Sequence, residues 1–181
     1  MKRVMIFIAG LIVIGIGGAV GLRIYTKSFS PEAEARFQGE NGTEIHVQYC
    51  SPYRKNRVIF GEKDVLIPYG TLWRTGANEA TEVSFSTDVQ VGGKRVPAGT
   101  YSLFSIPRAE AWTIILNKET GQWGTEYDPA QDFVRTEVPA RTLADTTESF
   151  TIRFAKTPDE NEVALVMRWE NTEVRLPVQI L

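Results

Sequence analysis

The sequence predicts an all-β protein, with a single β-sandwich or jelly-roll-like domain behind an N-terminal transmembrane helix. Short segments of the body alternate polar and apolar residues with a period of two, the pattern of half-buried strands. Turn signals separate these segments at intervals of about eight to twelve residues, as in sandwiches and barrels. The body shows no sustained helical period, so we expect little helix there.

The N-terminus has the pattern of a membrane anchor. Lys2 and Arg3 precede an apolar run over residues 4–22, and a bilayer-spanning helix needs about twenty such residues. The run is longer than the apolar region of a typical signal peptide, and no clean cleavage site follows it. We therefore expect residues 1–25 to be an uncleaved signal anchor that holds the domain outside the cytoplasm, in a periplasm or at a cell surface. A cleaved, secreted form is the alternative.

The composition changes again after the anchor. Residues 26–43 are polar, which predicts a stalk that is partly helical at best. Residues 44–181 carry the strand patterns and contain no internal repeat, so they are predicted to form one domain. A domain of this length can bury a full hydrophobic core.

The predicted strands follow one another along the body. Residues 44–50 and 81–86 alternate polar and apolar side chains, as half-buried strands do. A pair of glycines between residues 89–91 and 94–96 is the signal of a tight hairpin. Further strands are expected at residues 100–106, 112–117 and 150–154.

The C-terminal segment predicts one more hairpin. Residues 163–169 are apolar on both faces, and residues 174–180 alternate. We expect a turn at residues 170–173 between them. A loop rich in Thr and Glu is expected before Phe150.

The composition excludes several classes of site. A net charge of −2 offers no basic face for nucleic acid. The chain has one cysteine, Cys50, and one histidine, His46, so it can form neither an internal disulfide nor a zinc site of His and Cys ligands. No Gly-x-Ser-x-Gly motif accompanies His46, and a Ser-His-Asp triad is not indicated. We expect no metal and no cofactor, and we expect Cys50 to be buried in a strand.

One segment, residues 68–81, concentrates Tyr, Trp, Arg, Asn and Glu between glycines. Its polar groups need partners if they are buried, so the segment is either a structural polar network or the wall of a site. In the site hypothesis, Arg74 and Glu79 hold a polar ligand while Trp73 or Trp123 stacks on it, as in sugar sites.

In the structural hypothesis, Arg74 and Glu79 pair with each other, Asn78 bonds the backbone of a turn, and the tryptophans belong to the core. The sequence leaves both hypotheses open.

Other clusters could complete a site. Arg54, Lys55 and Arg57 lie in a predicted loop and could bind an anion, because a guanidinium suits carboxylate or phosphate; a solvated loop is the alternative. Asp132 and Arg135 form another charged pair near residue 137. The candidate ligand-binding residues are Arg57, Tyr69, Trp73, Arg74, Asn78, Glu79, Asn117, Trp123 and Tyr127.

Several motifs of the body occur together in a known family. They are Pro68-Tyr69-Gly70, Trp73-Arg74-Thr75-Gly76-Ala77-Asn78-Glu79-Ala80-Thr81, Pro97-Ala98-Gly99-Thr100-Tyr101-Ser102-Leu103-Phe104, Asn117-Lys118, Gln122-Trp123-Gly124 and Tyr127-Asp128. With them, the chain resembles domain of unknown function 2911, found mainly in secreted or envelope proteins of bacteria. The resemblance runs from about residue 47 to 154. It implies an envelope location and a β-rich fold, and it brings no known reaction or catalytic residue.

These patterns together indicate a membrane-anchored extracytoplasmic β-sandwich that binds a glycan or peptide, or that acts as a scaffold of the cell envelope. The alternative is a hydrolase acting on envelope glycans or peptides. Such an enzyme needs one carboxylate as acid and another as base or nucleophile. Glu79 with Asp128 or Asp132 is the pairing that the sequence offers. A purely structural envelope component is a third hypothesis, and the sequence does not indicate an oligomeric state.

Overall fold

The structure, a computed structural model, describes Gly21 and residues 25–181, and this part is built almost entirely from strands. Residues 25–29 are helical. Eleven strands and one 3-10 helix, η1 (Pro129–Gln131), follow within the described residues. The strands are β1 (Glu32–Gln38), β2 (Glu44–Cys50), β3 (Phe60–Gly61), β4 (Ile67–Pro68), β5 (Thr81–Phe85), β6 (Val89–Val91), β7 (Lys94–Val96), β8 (Gly99–Ile106), β9 (Ala111–Asn117), β10 (Asp132–Lys156) and β11 (Glu162–Ile180).

Nine of these strands form one antiparallel sheet in the order β1-β2-β5-β8-β9-β10-β11-β6-β7, while β3 and β4 pair in parallel. The all-β class is therefore confirmed. The long strand β10 pairs with β9 through residues 132–139 and with β11 through residues 140–156. The sheet curls on itself, which brings the ring of Phe154 in β10 to 5.7 Å from that of Phe37 in the edge strand β1.

Most predicted strands are present with nearly the expected bounds. Strands β2, β5, β8 and β9 bury alternate or consecutive apolar side chains. The hairpin of β6 and β7 turns at Gly92 and Gly93, which have φ angles of 57° and 77°. This left-handed conformation favours glycine, and the sequence signal for this turn is confirmed.

Aromatic side chains fill the centre of the core around Trp73. Its ring centroid lies 4.9 Å from that of Phe150, 5.7 Å from Trp112 and 5.9 Å from Trp169. The indole N–H of Trp73 donates to the carbonyl oxygen of Gly76 at 3.0 Å. Because aromatic pairs contribute about 0.5–1.5 kcal/mol beyond the burial of their area, this cluster anchors the segment that begins at Trp73.

The stalk predicted for residues 26–43 is wrong over residues 32–38. Strand β1 lies there and pairs with β2 from Glu32 opposite Cys50 to Gln38 opposite Glu44. Within β1, Ala35 alone is buried, because an edge strand with one exposed face needs few apolar residues. Residues of this strand alternate between polar and apolar, but the apolar ones are mostly alanines among charged side chains, so its composition resembled a polar stalk.

The expected turn at residues 170–173 and the loop before Phe150 are wrong as well. Both regions belong to the long strands β10 and β11. The pairing register shifts between Thr142 and Thr147 and again before Thr151, so β-bulges absorb extra residues of β10. Glu170 has a φ of 53° in the partner strand. The polar residues read as turn signals thus mark irregular pairing within a continuous hairpin.

The predicted anchor helix, residues 4–22, lies outside the described residues except for Gly21. Within the part of the chain that the structure describes, no helix is both long and apolar enough to cross a membrane.

Candidate functional site

Two cavities lie next to the segment formed by residues 73–79. The larger has a volume of about 740 Å³ and is termed the basic cavity. The smaller has a volume of about 500 Å³ and is termed the acidic cavity. Side chains that characterise the basic cavity are Phe29, Lys55, Arg57, Leu72, Arg74 and Asn78. Those that characterise the acidic cavity are Glu32, Glu34, Gln48, Glu79, Glu82 and Gln122.

The backbone between the two cavities is strained and firmly held. Thr75 and Asn78 have φ angles of 49° and 60°, and a β-branched residue such as Thr rarely adopts this conformation. Such strain costs on the order of 1–3 kcal/mol per residue. Hydrogen bonds offset it: the hydroxyl of Thr75 donates to that of Ser105 at 3.0 Å, and the hydroxyl of Thr81 donates to the carbonyl of Thr75 at 2.8 Å.

Arg74 is held against the next loop through one shared carbonyl. Its Nη1 donates to the carbonyl oxygen of Asn78 at 3.1 Å, and the amide of Gly124 donates to the same oxygen at 2.9 Å. A methyl group at Gly124 would lie 2.4 Å from Cδ of Arg74, a distance that no packing tolerates. The absence of a side chain at Gly124 is therefore what allows Arg74 to occupy its place in the basic cavity.

Arg74 is a half-buried cation with no carboxylate partner among the described residues. Burial lowers its pKa below the ordinary value, since desolvation disfavours the charged form. The guanidinium nevertheless stays charged, because arginine is not deprotonated in proteins. This positive charge is the main electrostatic feature of the basic cavity.

Two further cations line the basic cavity, and neither has an ion pair within the described residues. The guanidinium of Arg57 donates to the carbonyl oxygens of Arg54 at 2.9 Å and Tyr53 at 2.7 Å. The ammonium group of Lys55 lies 3.9 Å from the ring centroid of Phe29, a cation–π contact. The described lining contains no Asp or Glu, so the field in the cavity is positive and suits an anion.

The acidic cavity differs because two of its carboxylates already contact a cation of the protein. Lys27 pairs with Glu32 and lies 3.5 Å from Oε1 of Glu79. Burial acts to raise the pKa of Glu79, but its own backbone amide and the charge of Lys27 outweigh burial and leave the pKa below the ordinary value. Glu79 is thus an ionised carboxylate with partners inside the protein.

The remaining carboxylates of the acidic cavity are also bonded. Glu34 accepts from Arg36 at 2.9 Å and lies 3.0 Å from Nε2 of His46. Glu82 accepts from the amide of Gly121 at 2.7 Å. Among residues 25–181, no group of three or more His, Cys, Asp or Glu side chains could hold a metal ion.

Asn117 and Tyr127, both candidate site residues, belong to a separate network that we term the Asp132 cluster. Asp132 accepts from Nδ2 of Asn117 at 2.9 Å, from the hydroxyl of Tyr127 at 2.7 Å and from Nη1 of Arg135 at 2.7 Å. Burial, together with the Asp132 carboxylate, raises the pKa of Tyr127 to about 12. The charged pair predicted from Asp132 and Arg135 is confirmed.

The structure divides the candidate site residues among different places. Arg57, Trp73, Arg74 and Asn78 line the basic cavity, and Glu79 lines the acidic cavity. Tyr69, Asn117, Trp123 and Tyr127 line neither of them. Tyr69 packs against the core, and Trp123 is 40% exposed.

The pair expected between Arg74 and Glu79 is not formed, because Arg74 contacts a carbonyl and Glu79 contacts Lys27. The carboxylates proposed for a hydrolase are also separated. Asp128 caps η1 and Asp132 holds its own cluster, and neither lines the acidic cavity with Glu79.

The sequence did not single out Phe29 or Leu72 as parts of the basic cavity. Both are large apolar side chains that are 41% exposed. For Phe29, the signal was an aromatic residue within the otherwise polar segment Ser-Phe-Ser-Pro. For Leu72, it was an apolar residue beside the Trp-Arg motif, which the sequence alone could not place outside the core.

The fold and the site define a class of protein: a small, mainly antiparallel β domain with a basic, partly apolar cavity beside a strained Trp-Arg-Thr-Gly-Ala-Asn segment. More particularly, the chain belongs to the family described as protein of unknown function (DUF2911), which it matches over residues 30–178. The match takes in β1 and nearly all of β11, and it confirms the resemblance seen in the motifs. Comparison with curated proteins found no match, and comparison with solved structures found none.

Proposed function

We propose that this protein is a membrane-anchored, extracytoplasmic ligand-binding module of the cell envelope, and that its ligand is an anion with an apolar portion bound in the basic cavity. The observation that carries the proposal is Arg74, a half-buried cation without a carboxylate partner in the described residues. Removing a charge from water is costly unless an opposite charge or hydrogen bonds compensate. A bound anion would supply that compensation.

The size and lining of the cavity support the same reading. Its volume of about 740 Å³ lies within the range of about 300–1,000 Å³ that ligand pockets have. Leu66 and Leu72 line it together with the three cations, so an apolar body and an anionic group would both find partners. Of the ligands expected from the sequence, acidic glycans and peptides with a free carboxylate fit this lining, whereas a neutral glycan lacks the anion.

The anchor and the sandwich are parts of the proposal. The apolar run over residues 4–22 supports a transmembrane helix, and a domain behind an N-terminal signal anchor is by default outside the cytoplasm. The contact of β10 with the edge strand β1 through Phe154 and Phe37 supports a sheet folded on itself in the manner of a sandwich. The hydrolase alternative has no comparable support, because its carboxylates share neither cavity.

The proposal is tested with the full chain in a neutral detergent, by ligand-observed NMR. Phenyl phosphate is the probe, and benzyl alcohol is a neutral compound with the same kind of apolar ring. We expect phenyl phosphate to bind and benzyl alcohol to bind at least tenfold more weakly, since a hydrogen bond to a charged group contributes about 1.5–3 kcal/mol.

Arg74→Met removes the charge while keeping an apolar side chain, and we expect it to weaken phenyl phosphate binding at least tenfold. Arg141→Met is the matched control, because Arg141 is an exposed arginine of β10 outside both cavities. Equal binding of the two probes, or unchanged binding by the Arg74 variant, would contradict the proposed function.

A further inference from the structure

The basic cavity lies close to the point where the chain leaves its expected anchor, and this position narrows the class of ligand. We infer that the cavity binds the headgroup of an anionic phospholipid from the membrane in which the protein is anchored. This inference rests on the proposed function, since it names the source of the anion that the same cavity would take.

The length of chain between membrane and cavity limits where the cavity can be. The predicted span ends at residue 22, and Phe29 lines the basic cavity. Seven residues reach about 10 Å as a helix and about 25 Å when fully extended, and residues 25–29 are helical. Each polar headgroup layer of a bilayer is roughly 5–8 Å thick. The cavity is therefore held within reach of the lipid headgroups.

Exposed apolar side chains concentrate around the same cavity. Six of the eight large apolar side chains that are exposed in the described residues lie between residues 25 and 72. Three of them, Phe29, Leu66 and Leu72, line the basic cavity directly, and Val58 follows its cation Arg57. The six exposed apolar side chains of this region are Tyr25, Phe29, Tyr53, Val58, Leu66 and Leu72. Clustered exposed apolar groups mark protein or membrane contacts, and here three of the six line the same cavity as the cationic groups.

The charges of the cavity match a phosphodiester at a membrane surface. Lys55 and Arg57 are exposed and Arg74 is half-buried, so the three offer both surface attraction and a desolvated contact. An anionic membrane surface attracts Lys and Arg side chains that lie close to it. A guanidinium also presents a fork of N–H donors that suits phosphate oxygens.

The acidic cavity does not compete for the same ligand. Its carboxylates Glu32, Glu34, Glu79 and Glu82 line a cavity separate from that of the three cations, and Lys27 of the tether contacts Glu32 and Glu79. An anionic headgroup is repelled by these carboxylates and attracted by the basic cavity. The short tether and the cations of the basic cavity favour a membrane lipid over a soluble peptide or glycan, neither of which needs the cavity to lie beside the anchor.

The test uses the full chain in a neutral detergent, freed of bound lipid and titrated with short-chain phosphatidylglycerol or phosphatidylcholine. Native mass spectrometry measures the lipid bound per chain. We expect phosphatidylglycerol to bind at least tenfold more tightly than phosphatidylcholine. Arg74→Met and Arg57→Met should each abolish this preference, and Arg141→Met should keep it.

Arg57 is exposed and its hydrogen bonds go to the carbonyls of its own loop, so Arg57→Met should change stability less than a core substitution and serves as the second variant should Arg74→Met prove unstable. In bilayer nanodiscs, brominated phosphatidylglycerol should quench the tryptophan fluorescence of the wild type more than brominated phosphatidylcholine, and Arg57→Met should remove the difference.

Each outcome decides between the two proposals. Equal binding of the two lipids, or a preference that survives both variants, overturns the lipid inference. If phenyl phosphate, an acidic peptide or an oligouronate binds in an Arg74-dependent way and phosphatidylglycerol does not, the proposed function stands and the lipid inference falls. If no anionic probe binds, both fall.

Discussion

The Asp132 cluster and the basic cavity are built from the same kinds of residue, yet they differ in whether their charges meet. In the cluster, Asp132 receives hydrogen bonds from Asn117, Tyr127 and Arg135 at 2.7–2.9 Å. In the basic cavity, the guanidinium of Arg74 donates to a single carbonyl oxygen among the described residues, that of Asn78 at 3.1 Å. The first region is satisfied internally, and the second leaves a charge that an external group can match.

We therefore expect the Asp132 cluster to contribute to stability and the basic cavity to contribute to binding. A satisfied buried network is costly to disturb, because removing one member strands the others. A half-buried cation without a counter-ion contributes little to stability, since its desolvation offsets its contacts. Substitutions in the two regions should therefore affect different measurements, and four predictions test the contrast.

The largest effect on stability is expected for Asn117→Ala in the Asp132 cluster. Asn117 is fully buried, its amide donates to Asp132 and to the carbonyl of Asp128, and its Oδ1 accepts from the amide of Glu119. Leaving these partners of Asn117 without their hydrogen bonds should lower the free energy of unfolding by about 3 kcal/mol. For a domain of this size, the melting temperature should fall by about 10 °C.

Thermal unfolding of the full chain in a neutral detergent measures this change, while phenyl phosphate binding to the folded variant should persist. Asn161→Ala is the control, because Asn161 is exposed and should shift the melting temperature little. A loss below about 1 kcal/mol for Asn117→Ala would show that the cluster is not the stabilising region.

Gly124→Ala should have the next largest effect, in the basic cavity itself. Its methyl group would lie 2.4 Å from Cδ of Arg74 and 2.8 Å from the carbonyl oxygen of Asn78. Such overpacking costs about 1–3 kcal/mol, and it should displace Arg74 and weaken phenyl phosphate binding.

Unfolding and binding are measured together on the Gly124 variant. Gly93→Ala is the comparison, because an added Cβ there meets no atom within 4 Å and tests only the cost of its positive φ. Unchanged binding by Gly124→Ala would mean that this glycine does not position Arg74.

A smaller, pH-dependent effect is expected for Tyr127→Phe, which removes the hydroxyl that donates to Asp132. The pKa of Tyr127 is raised to about 12 in the folded protein, against about 10 in an unfolded chain. Between these values the unfolded state holds fewer protons, so stability falls as the pH rises.

The wild type should be more stable than Tyr127→Phe by about 1 kcal/mol below pH 10, and this advantage should be lost as the pH rises through about 12. Denaturant unfolding of both proteins across this range gives the difference directly. An advantage that does not change with pH would contradict the raised pKa of Tyr127 in the folded protein.

The sequence predicted the strands well where large apolar residues alternate with polar ones. Strands β2 and β5 bury every second residue or nearly so, and the period-two pattern was sufficient. Strand β1 also alternates, but two of its three apolar residues are alanines, set among charged residues, so its polar composition made it resemble a stalk. The bulges of β10 place exposed Thr and Glu residues in a strand, which made a continuous hairpin resemble a loop.

The candidate site was predictable as a segment and not as a set of contacts. Residues 73–79 carry the composition of a polar site, but the sequence does not fix on which side of the chain each side chain lies. Positive φ angles at Thr75 and Asn78 turn the backbone, and Arg74 and Glu79 line different cavities. The tertiary pairing with the loop at Gly124 completes the basic cavity, and no local pattern encodes it.

The smallest change in stability is expected for the residue most important for binding. In Arg74→Met, the carbonyl oxygen of Asn78 keeps its bond from the amide of Gly124, and the cost of a desolvated cation disappears. We expect the free energy of unfolding to change by at most about 0.5 kcal/mol, while anion binding falls at least tenfold. Arg135→Met is the matched variant in the Asp132 cluster. This variant leaves the carboxylate of Asp132, which is 10% exposed, without its cation. It should lower the free energy of unfolding by about 1 kcal/mol, since solvent screens the half-exposed guanidinium. If Arg74→Met proves as costly as Asn117→Ala, Arg74 belongs to a structural network and the contrast between the two regions does not hold. If Arg135→Met is neutral while Arg74→Met removes binding, the contrast holds and its stabilising side rests on Asn117 and Tyr127.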